Sequence, residues 1–273
     1  MARIGLIGAG QMAAEICVRL IRYGGISPDE ILASHHDPIK ARSFRRRTHV
    51  RVLLDNRDLV ENSRVVLLCV RPQQAKDASK QVAVLFADRR RSLVSIAAGV
   101  RTSSLARWIA SPQVAHFHPS SLLMATDAYN PGPSLWTTHP KMAHATGSRL
   151  RKLFEKSIGE VWAVPEIQLP KYIFLAGNAP ALVLRVIDAF VKAADLEPKD
   201  RQVYHAIVSA LYHGVVLEKR SPSDIVSNIA TKGGVTQAGL DVLEQRWHID
   251  AIARETRDAC LKRLLGLADP EQR

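Results

Sequence analysis

The chain has 273 residues, 47% of them apolar, and carries 38 Lys and Arg against 26 Asp and Glu, a formal charge of +12. That length suggests about two domains and a substantial core, and no apolar run approaches the ~20 residues a bilayer span needs. With only 5% aromatic residues and no stacking motif, the basic clusters (Arg42, Arg45, Arg46, Arg47 and Arg51; Arg89, Arg90 and Arg91; Arg149, Arg151 and Lys152) read as a solvated surface that steers anions, not as a nucleic-acid interface.

Ile4, Leu6 and Ile7 read as a buried strand, and the apolar spacing turns helical from Gln11 to Tyr23, with Met12, Ile16, Leu20 and Tyr23 on one face. Between them stands a G-x-G-x-x-A turn. Gly8 allows the tight turn, Gly10 lets a pyrophosphate lie against the backbone, and Ala13 lets the helix pack close to the strand. The amides at the helix start, including those of Gln11 and Met12, carry the partial positive charge that holds phosphates. Spacing and context read as a dinucleotide site; the alternative is a structural βα turn with no ligand.

The second strand is Glu30–Ser34, after a Gly24-Gly25 turn and Ser27-Pro28. An NAD-preferring site places a carboxylate near the end of this strand, against the ribose hydroxyls. Here the end reads Ser34-His35-His36-Asp37, with Arg42 a turn or two beyond. A hydroxyl, two imidazoles and a guanidinium suit a 2′-phosphate and therefore NADPH, while Asp37 keeps NADH as the alternative. His35 and His36 read equally well as exposed loop histidines.

Val65–Val70 is a near-continuous apolar run, as a parallel strand covered on both faces requires. It stops at Arg71-Pro72, and a helix carrying Ala75, Ala78, Val82 and Leu85 follows. Leu93–Ile96 is the next strand, then the small loop Ala97-Ala98-Gly99 and a short helix to Trp108. Val114–Phe117 is a further strand that ends at His118-Pro119-Ser120-Ser121. Strands alternating with helices predict an open parallel sheet with right-handed crossovers, its ligand at the carboxyl ends of the strands. Those ends are Gly8–Met12, Ser34–His36, Val70–Pro72, Ala97–Gly99 and His118–Ser121, five loops expected in one crevice.

After Trp162 strand signals cease. Leu175, Ala179, Leu182, Val183, Val186, Ile187 and Phe190 recur at helical spacing between Pro170 and about Ala194, with Pro180 inside and a bend expected there. A second helix is predicted over Lys199–Lys219. Ser221-Pro222-Ser223-Asp224 starts another, Thr231–Thr236 interrupts, and Gln237–Gln245 and Ile249–Leu267 complete the set. The first long helix is apolar over so wide an arc that it must be buried in a larger assembly, which predicts a homodimer or higher homo-oligomer built on these helices. Cys17, Cys69 and Cys260 lack metal spacing and read as small buried hydrophobes of a reducing compartment. The chain starts on a core strand with no charged-then-apolar leader. No metal, nucleic acid or membrane is expected, and the location is expected to be cytoplasmic.

Several segments then resemble one family, pyrroline-5-carboxylate reductase, along nearly the full length. The opening GLIGAGQMA is similar to its cofactor turn. Cys69-Val70-Arg71-Pro72-Gln73 resembles its V-K-P-Q, and Val94–Val100 its I-S-x-A-A-G-V strand end. Ile225–Glu244, IVSNIATKGGVTQAGLDVLE, resembles V-x-S-P-G-G-T-T-x-x-A-L-x-x-L-E. The resemblance implies an α/β chain with a Rossmann NAD(P)-binding domain over 1–163 and a helical dimerisation and substrate domain over 164–273. It implies an NAD(P)H-dependent oxidoreductase acting on a C=N bond, with the cofactor against Val70, Arg71, Pro72, Ala97, Ala98 and Gly99. It also implies that Thr231, Lys232, Gly233, Gly234, Val235 and Thr236 bind the substrate carboxylate.

Three segments depart from the family. His118-Pro119-Ser120-Ser121-Leu122 stands for M-P-N-T-P, with His116 for an arginine. Ala176–Ala181 stands for S-G-S-G-P-A, placing Asn178 there, and Lys232 replaces the proline of S-P-G-G. Thr236 and His118 are the expected catalytic residues. His118 is either the proton donor or a strand-end cap, with water as the donor. Lys232 is either a second charge for the carboxylate or a solvent-facing side chain. Asn178 bonds either the ligand or the backbone freed by Pro180. The expected reaction is reduction of pyrroline-5-carboxylate to proline; the alternatives are another imine substrate and a non-catalytic dinucleotide-binding protein.

Overall fold

The computed structural model describes residues 2–87, 90–119, 133–194, 202–212, 215, 218–230 and 234–266. The chain divides into two compact units, Met1–Gly177 with Leu261–Arg273, and Asn178–Cys260.

The first unit is built on one sheet. Its strands are β1 (Ala2–Ile7), β2 (Ile31–Ser34), β3 (Arg51–Leu53), β4 (Ser63–Leu68), β5 (Ser92–Ser95), β6 (Val114–His118), β7 (Ser134–Thr138) and β8 (Val161–Ala163), in the order β3-β2-β1-β4-β5-β6-β7-β8. Every neighbouring pair is parallel except β6 and β7, which run antiparallel with Phe117 opposite Trp136 and His118 opposite Leu135. The sheet is therefore mixed, where the sequence predicts a parallel one. β3, β7 and β8 also escape the sequence reading.

Alternation along the strands sends side chains to two apolar layers. Ile4, Leu6, Leu67, Val94, Ala115, Phe117 and Trp136 face one, packed by α1 (Gln11–Arg22), α2 (Pro38–Thr48) and α6 (His144–Ile158). There Phe117 stacks on Phe154 with ring centroids 4.4 Å apart. Ile7, Val66, Leu68, Leu93 and Val114 face the other layer, closed by α3 (Asn56–Glu61), α4 (Pro72–Gln81) and α5 (Thr102–Trp108). α1 buries Ala13, Ala14, Ile16, Cys17 and Leu20, whereas Tyr23, expected on the same face, lies at the helix end and is exposed.

The unit runs on past residue 163. Leu135 of β7 packs with Val164, with Leu169 and Ile173 of α7 (Leu169–Ile173) and with Leu264, so the start of the helical segment is held on the sheet. Beyond α7 the helix widens into one π turn over Phe174–Asn178 before α8 (Ala179–Ala193). Pro180 has no N–H to return to the preceding turn, and the expected bend takes the form of this widening.

The second unit holds α8, α9 (Gln202–Tyr212), α10 (Pro222–Ile229), α11 (Val235–Asp241) and most of α12 (Ile249–Gly266). α10 starts as predicted, with the Ser221 hydroxyl accepting the Asp224 amide at 3.1 Å. None of the side chains of α8, α10 or α11 is buried, and Val183, Val186 and Phe190 are half exposed along α8. The helical run Glu166–Ala193 contains an 18-residue window of mean hydropathy 1.6, long and apolar enough to cross a membrane by length and composition. That corrects the expectation that no stretch approaches this limit: the apolar residues are interleaved with Gly177, Asn178 and Pro180, and continuous helix gathers them on one element.

Candidate active site

The turn after β1 has the conformation its glycines predict. Gly8 sits at φ +100°, and a β-carbon there would lie 2.8 Å from the Cys69 carbonyl oxygen. Gly10 is the N-cap of α1 and makes no side-chain cap bond; a β-carbon on it would meet nothing within 4 Å. The first amides of α1 thus face open space that only a side chain at residue 10 would fill, the cradle a pyrophosphate needs. β1 and β4 flank the point where strand order reverses, the usual place for a ligand in such sheets.

A cleft of about 1250 Å³ opens there, above the ~300–1000 Å³ common for small-ligand pockets. Gly8, Gly10, Gln11, Ser34, His35, His36, Val70 and Arg71 line it, as the sequence predicts. Met12, Pro72, Ala97, Ala98 and Gly99 do not. Met12 packs into the core, Pro72 opens α4, and Ala98 packs against the Leu135–Leu169 cluster. The crevice gathers the ends of β1, β2 and β4; the expected loops after β5 and β6 lie outside its lining.

The end of β2 is specific in its bonding. Asp37 stands at the start of α2. Its carboxylate is the N-cap of α2, accepting the Ile39 amide at 2.8 Å and the Lys40 amide at 3.2 Å, and these bonds hold it below the usual carboxylate range. The Ser34 hydroxyl donates to Asn56 Oδ1 at 2.7 Å, and Asn56 Nδ2 donates to Gln81 Oε1 at 2.8 Å. Asn56, Gln81, Lys40 and Arg47 line the cleft and were missed by sequence reasoning; Arg42 was expected there and is not part of the lining. The missing signal is tertiary, since Asn56 and Gln81 come from helices two crossovers away. The residues present fit a phosphorylated ribose, with a hydroxyl, an amide, two imidazoles and the cations Lys40 and Arg47 in a lining that also holds Asp55 and Asp77.

Known proteins resemble the chain in two stretches. Residues 3–99 match the family model for coenzyme F420-dependent NADP oxidoreductases, and residues 166–265 match the model for pyrroline-5-carboxylate reductase dimerisation. Pyrroline-5-carboxylate reductase of Glycine max is 28% identical over 246 residues, covering 88% of this chain and 87% of the relative. The Synechocystis protein of the same name is 26% identical over 262 residues, covering 94% and 95%. Over most of its length the chain is similar to pyrroline-5-carboxylate reductases, and its helical part matches that family's dimerisation model. Two solved structures share its fold. The Streptococcus pyogenes reductase gives a TM-score of 0.81 at 23% identity over 97% of this chain and 98% of that one. The Plasmodium falciparum pyrroline carboxylate reductase, solved with NADP bound, gives 0.80 at 17% over 97% and 98%.

Against the reductase family, the departing segments acquire positions. His116 is fully buried in β6, and neither ring nitrogen has a hydrogen-bond partner; burial pulls its pKa down to about 3. His118, two residues on and on the same face, is half-buried with an unpartnered Nδ1, and burial lowers its pKa to about 4. A β-carbon on Gly177 would lie 3.0 Å from His118 Nε2, so the ring sits against the π turn. Burial thus favours the uncharged ring, and the two readings of His118, proton donor and strand-end cap, both stand. Asn178 ends the π turn and its side chain makes no cap bond. Gly234 is the extended N-cap of α11, followed by the exposed Val235 and Thr236. Thr231, Lys232 and Gly233 lie outside the described residues, as do Ser120 and Ser121.

Burial holds two of the cysteines in the thiol form. Cys17, Cys69 and Cys260 are free, and burial pushes Cys17 up to about 12 and Cys69 higher still. Among the described residues no cluster of three His, Cys, Asp or Glu side chains is placed to hold a metal.

Proposed function

We propose that the protein is an NADPH-dependent reductase of a cyclic imine carboxylate, converting pyrroline-5-carboxylate to proline. The observation that carries this reading is the cleft at the strand-order reversal: a glycine turn with an open cradle, and a β2 end where Asp37 is turned away into a helix cap. The names of the relatives supply the substrate. Gly8, Gly10, Gln11 and Met12 hold the pyrophosphate through the amides of α1, and Ser34, His35 and His36 hold the phosphorylated ribose. Val70, Arg71 and Pro72 flank the middle of the cofactor, and Ala97, Ala98 and Gly99 its nicotinamide end. NADH, lacking the phosphate, is the weaker alternative.

When bound, the reduced nicotinamide supplies a hydride to the C=N carbon. The chain's own contribution is alignment and charge. Gly234 and Val235 offer amides at the start of α11, Thr236 a hydroxyl and Lys232 a cation to the substrate carboxylate, with Thr231, Gly233 and Asn178 around it. His118 acts as an uncharged wall that keeps solvent from the nicotinamide, and the proton for the imine nitrogen comes from water. We divide the chain functionally at 163/164, cofactor before and substrate after. The apolar face of α8 is covered by a second copy, making a homodimer or a multiple of it rather than a membrane helix. The free thiols fit a cytoplasmic location.

Steady-state NADPH oxidation with pyrroline-5-carboxylate and a panel of larger cyclic imines tests the reading. Turnover of the five-membered imine supports it. Turnover of a larger imine alone moves the substrate, a shift that the altered segments at 116–122 and 176–181 would explain. Tight NADPH binding with no turnover would reduce the protein to a dinucleotide binder.

A further inference from the structure

The loop that follows β5 is fixed at three points. At its start the Ile96 amide donates to the Leu68 carbonyl at 3.1 Å, and the Ala97 amide donates to Ser95 Oγ at 3.1 Å. In its middle Gly99 sits at φ +82°, and the Val100 amide returns to the Ala97 carbonyl at 3.3 Å. At its end α5 begins without help from its own N-cap, since the Arg101 side chain makes no cap bond. The cap comes from Glu166, on the short 3₁₀ turn Glu166–Gln168 that leads into α7. One oxygen of its carboxylate accepts the Thr102 amide at 2.5 Å and the other accepts the Thr102 hydroxyl at 3.0 Å. Thr102 is fully buried, and charge-assisted bonds of this kind are roughly twice as strong as neutral ones. Apolar contacts act in the same sense. Ala98 of the loop packs with Leu135, Val164, Leu169, Ile173 and Leu264. The loop is thus clasped to the segment 164–173. That segment continues within the same unit to the π turn, where Gly177 lies against the His118 ring.

We infer that Glu166 is a positioning residue for hydride transfer: through Thr102 it holds the Ala97–Gly99 loop to the segment that carries the π turn, and so fixes the nicotinamide end of the site relative to the His118 ring. The inference rests on the assignment of Ala97, Ala98 and Gly99 to the nicotinamide end and deepens it by naming what keeps that end in place. Glu166 and Thr102 lie outside the lining of the cofactor cleft, so the glycine cradle and the end of β2 are held without them. Loss of the carboxylate leaves a buried amide and hydroxyl without their partner, and the loop relieves that cost by moving. Displacing reacting atoms by about 1 Å costs up to about a hundredfold in rate. The signature of Glu166 is therefore a slower chemical step at constant cofactor affinity.

Single-turnover oxidation of bound NADPH by saturating pyrroline-5-carboxylate, followed by stopped flow on the full-length protein, tests this. The rate constant reports alignment, and the amplitude reports the fraction of intact sites. Glu166→Ala should lower the rate constant at least about tenfold, with the amplitude kept and NADPH affinity, read by cofactor fluorescence, within about twofold of wild type. Glu166→Gln keeps an acceptor for the Thr102 amide and should recover most of the rate. Thr102→Val has the same shape and removes only the hydroxyl bond; it should slow the reaction about threefold, since the amide keeps its partner. Thr102→Ser retains both bonds and should react as the wild type does. If Glu166→Ala folds poorly, Thr102→Val against Thr102→Ser carries the test. Unchanged rate constants in Glu166→Ala and Thr102→Val would overturn the inference and leave the cofactor site standing. A fall in amplitude alone would assign Glu166 to stability and overturn it as well, as would NADPH affinity lost in step with the rate. A wild type that binds NADPH but reduces no imine would remove the reductase reading and this inference together.

Discussion

The two units handle their apolar residues in opposite ways. In the first, the sheet is sandwiched, and β1, β4, β5 and β6 deliver side chains such as Leu6, Leu67, Val94 and Phe117 to full burial within one chain. In the second, α8, α10 and α11 bury nothing, though α8 carries Leu182, Val183, Val186 and Phe190 along one side. A sheet has two faces that its own crossover helices cover, whereas a helix that is apolar over a wide arc needs more neighbours than a few sister helices provide. Among the described residues, the first unit covers its own apolar faces, and the second leaves that of α8 open.

The strongest way to break this contrast is to charge α8. Val186→Asp with Phe190→Asp lies on exposed surface, where substitutions ordinarily shift stability by ~0.5 kcal/mol or less. Here light scattering should show loss of the oligomer, the helical unit should melt on dilution, and imine turnover should fall at least about tenfold, in line with an association loss of more than ~1.4 kcal/mol. An intact oligomer would mean another face makes the contact. Phe117→Ala, in the self-contained unit, should cost about 3–5 kcal/mol in denaturant unfolding with the oligomer unaffected. Gly8→Ala forces a β-carbon against the Cys69 carbonyl at a positive φ. Strain of about 1–3 kcal/mol should weaken NADPH binding roughly tenfold, measured by cofactor fluorescence, with assembly unchanged.

The pH response should separate the units as well. His116 titrates at 6.5 when unfolded and near 3 in the fold, so below pH 6.5 the unfolded chain binds a proton that the folded one refuses. Its share of stability is full above pH 6.5 and drains as pH falls toward 3. His116→Leu should flatten the stability curve of the Rossmann unit between those limits, and a curve unchanged by the substitution would place the titrating group elsewhere. The smallest effect expected is Glu166→Gln. The Glu166 carboxylate accepts the Thr102 amide at 2.5 Å and its hydroxyl at 3.0 Å, capping α5 from 64 residues away. Losing the charge-assisted part should lower stability by about 1 kcal/mol, a Tm shift of about 2–4 °C.

Much of this was legible in the chain. The strand–turn–helix at residues 3–22, the β4, β5 and β6 strands and the Ser221 cap are local signals, each carried by spacing within a dozen residues. The carboxylate-free end of β2 was visible too, as was the need of α8 for cover. Other features follow from partners distant in sequence. The sequence does not show that α2 starts on Asp37, and Ser34 reads as a free donor until Asn56 and Gln81 arrive from α3 and α4.

Local order in the amino acids fixed the glycine cradle, the alternation of strand and helix, and the apolar stripe that calls for a second copy, because backbone sterics and side-chain periodicity act over a few residues. The antiparallel β7, the burial of His116 and His118, the π turn against His118 and the bonding of Ser34 to Asn56 were decided only by tertiary structure. Pairing direction, desolvation and hydrogen-bond competition depend on which remote groups come within a few ångströms, and no periodicity in the chain encodes that.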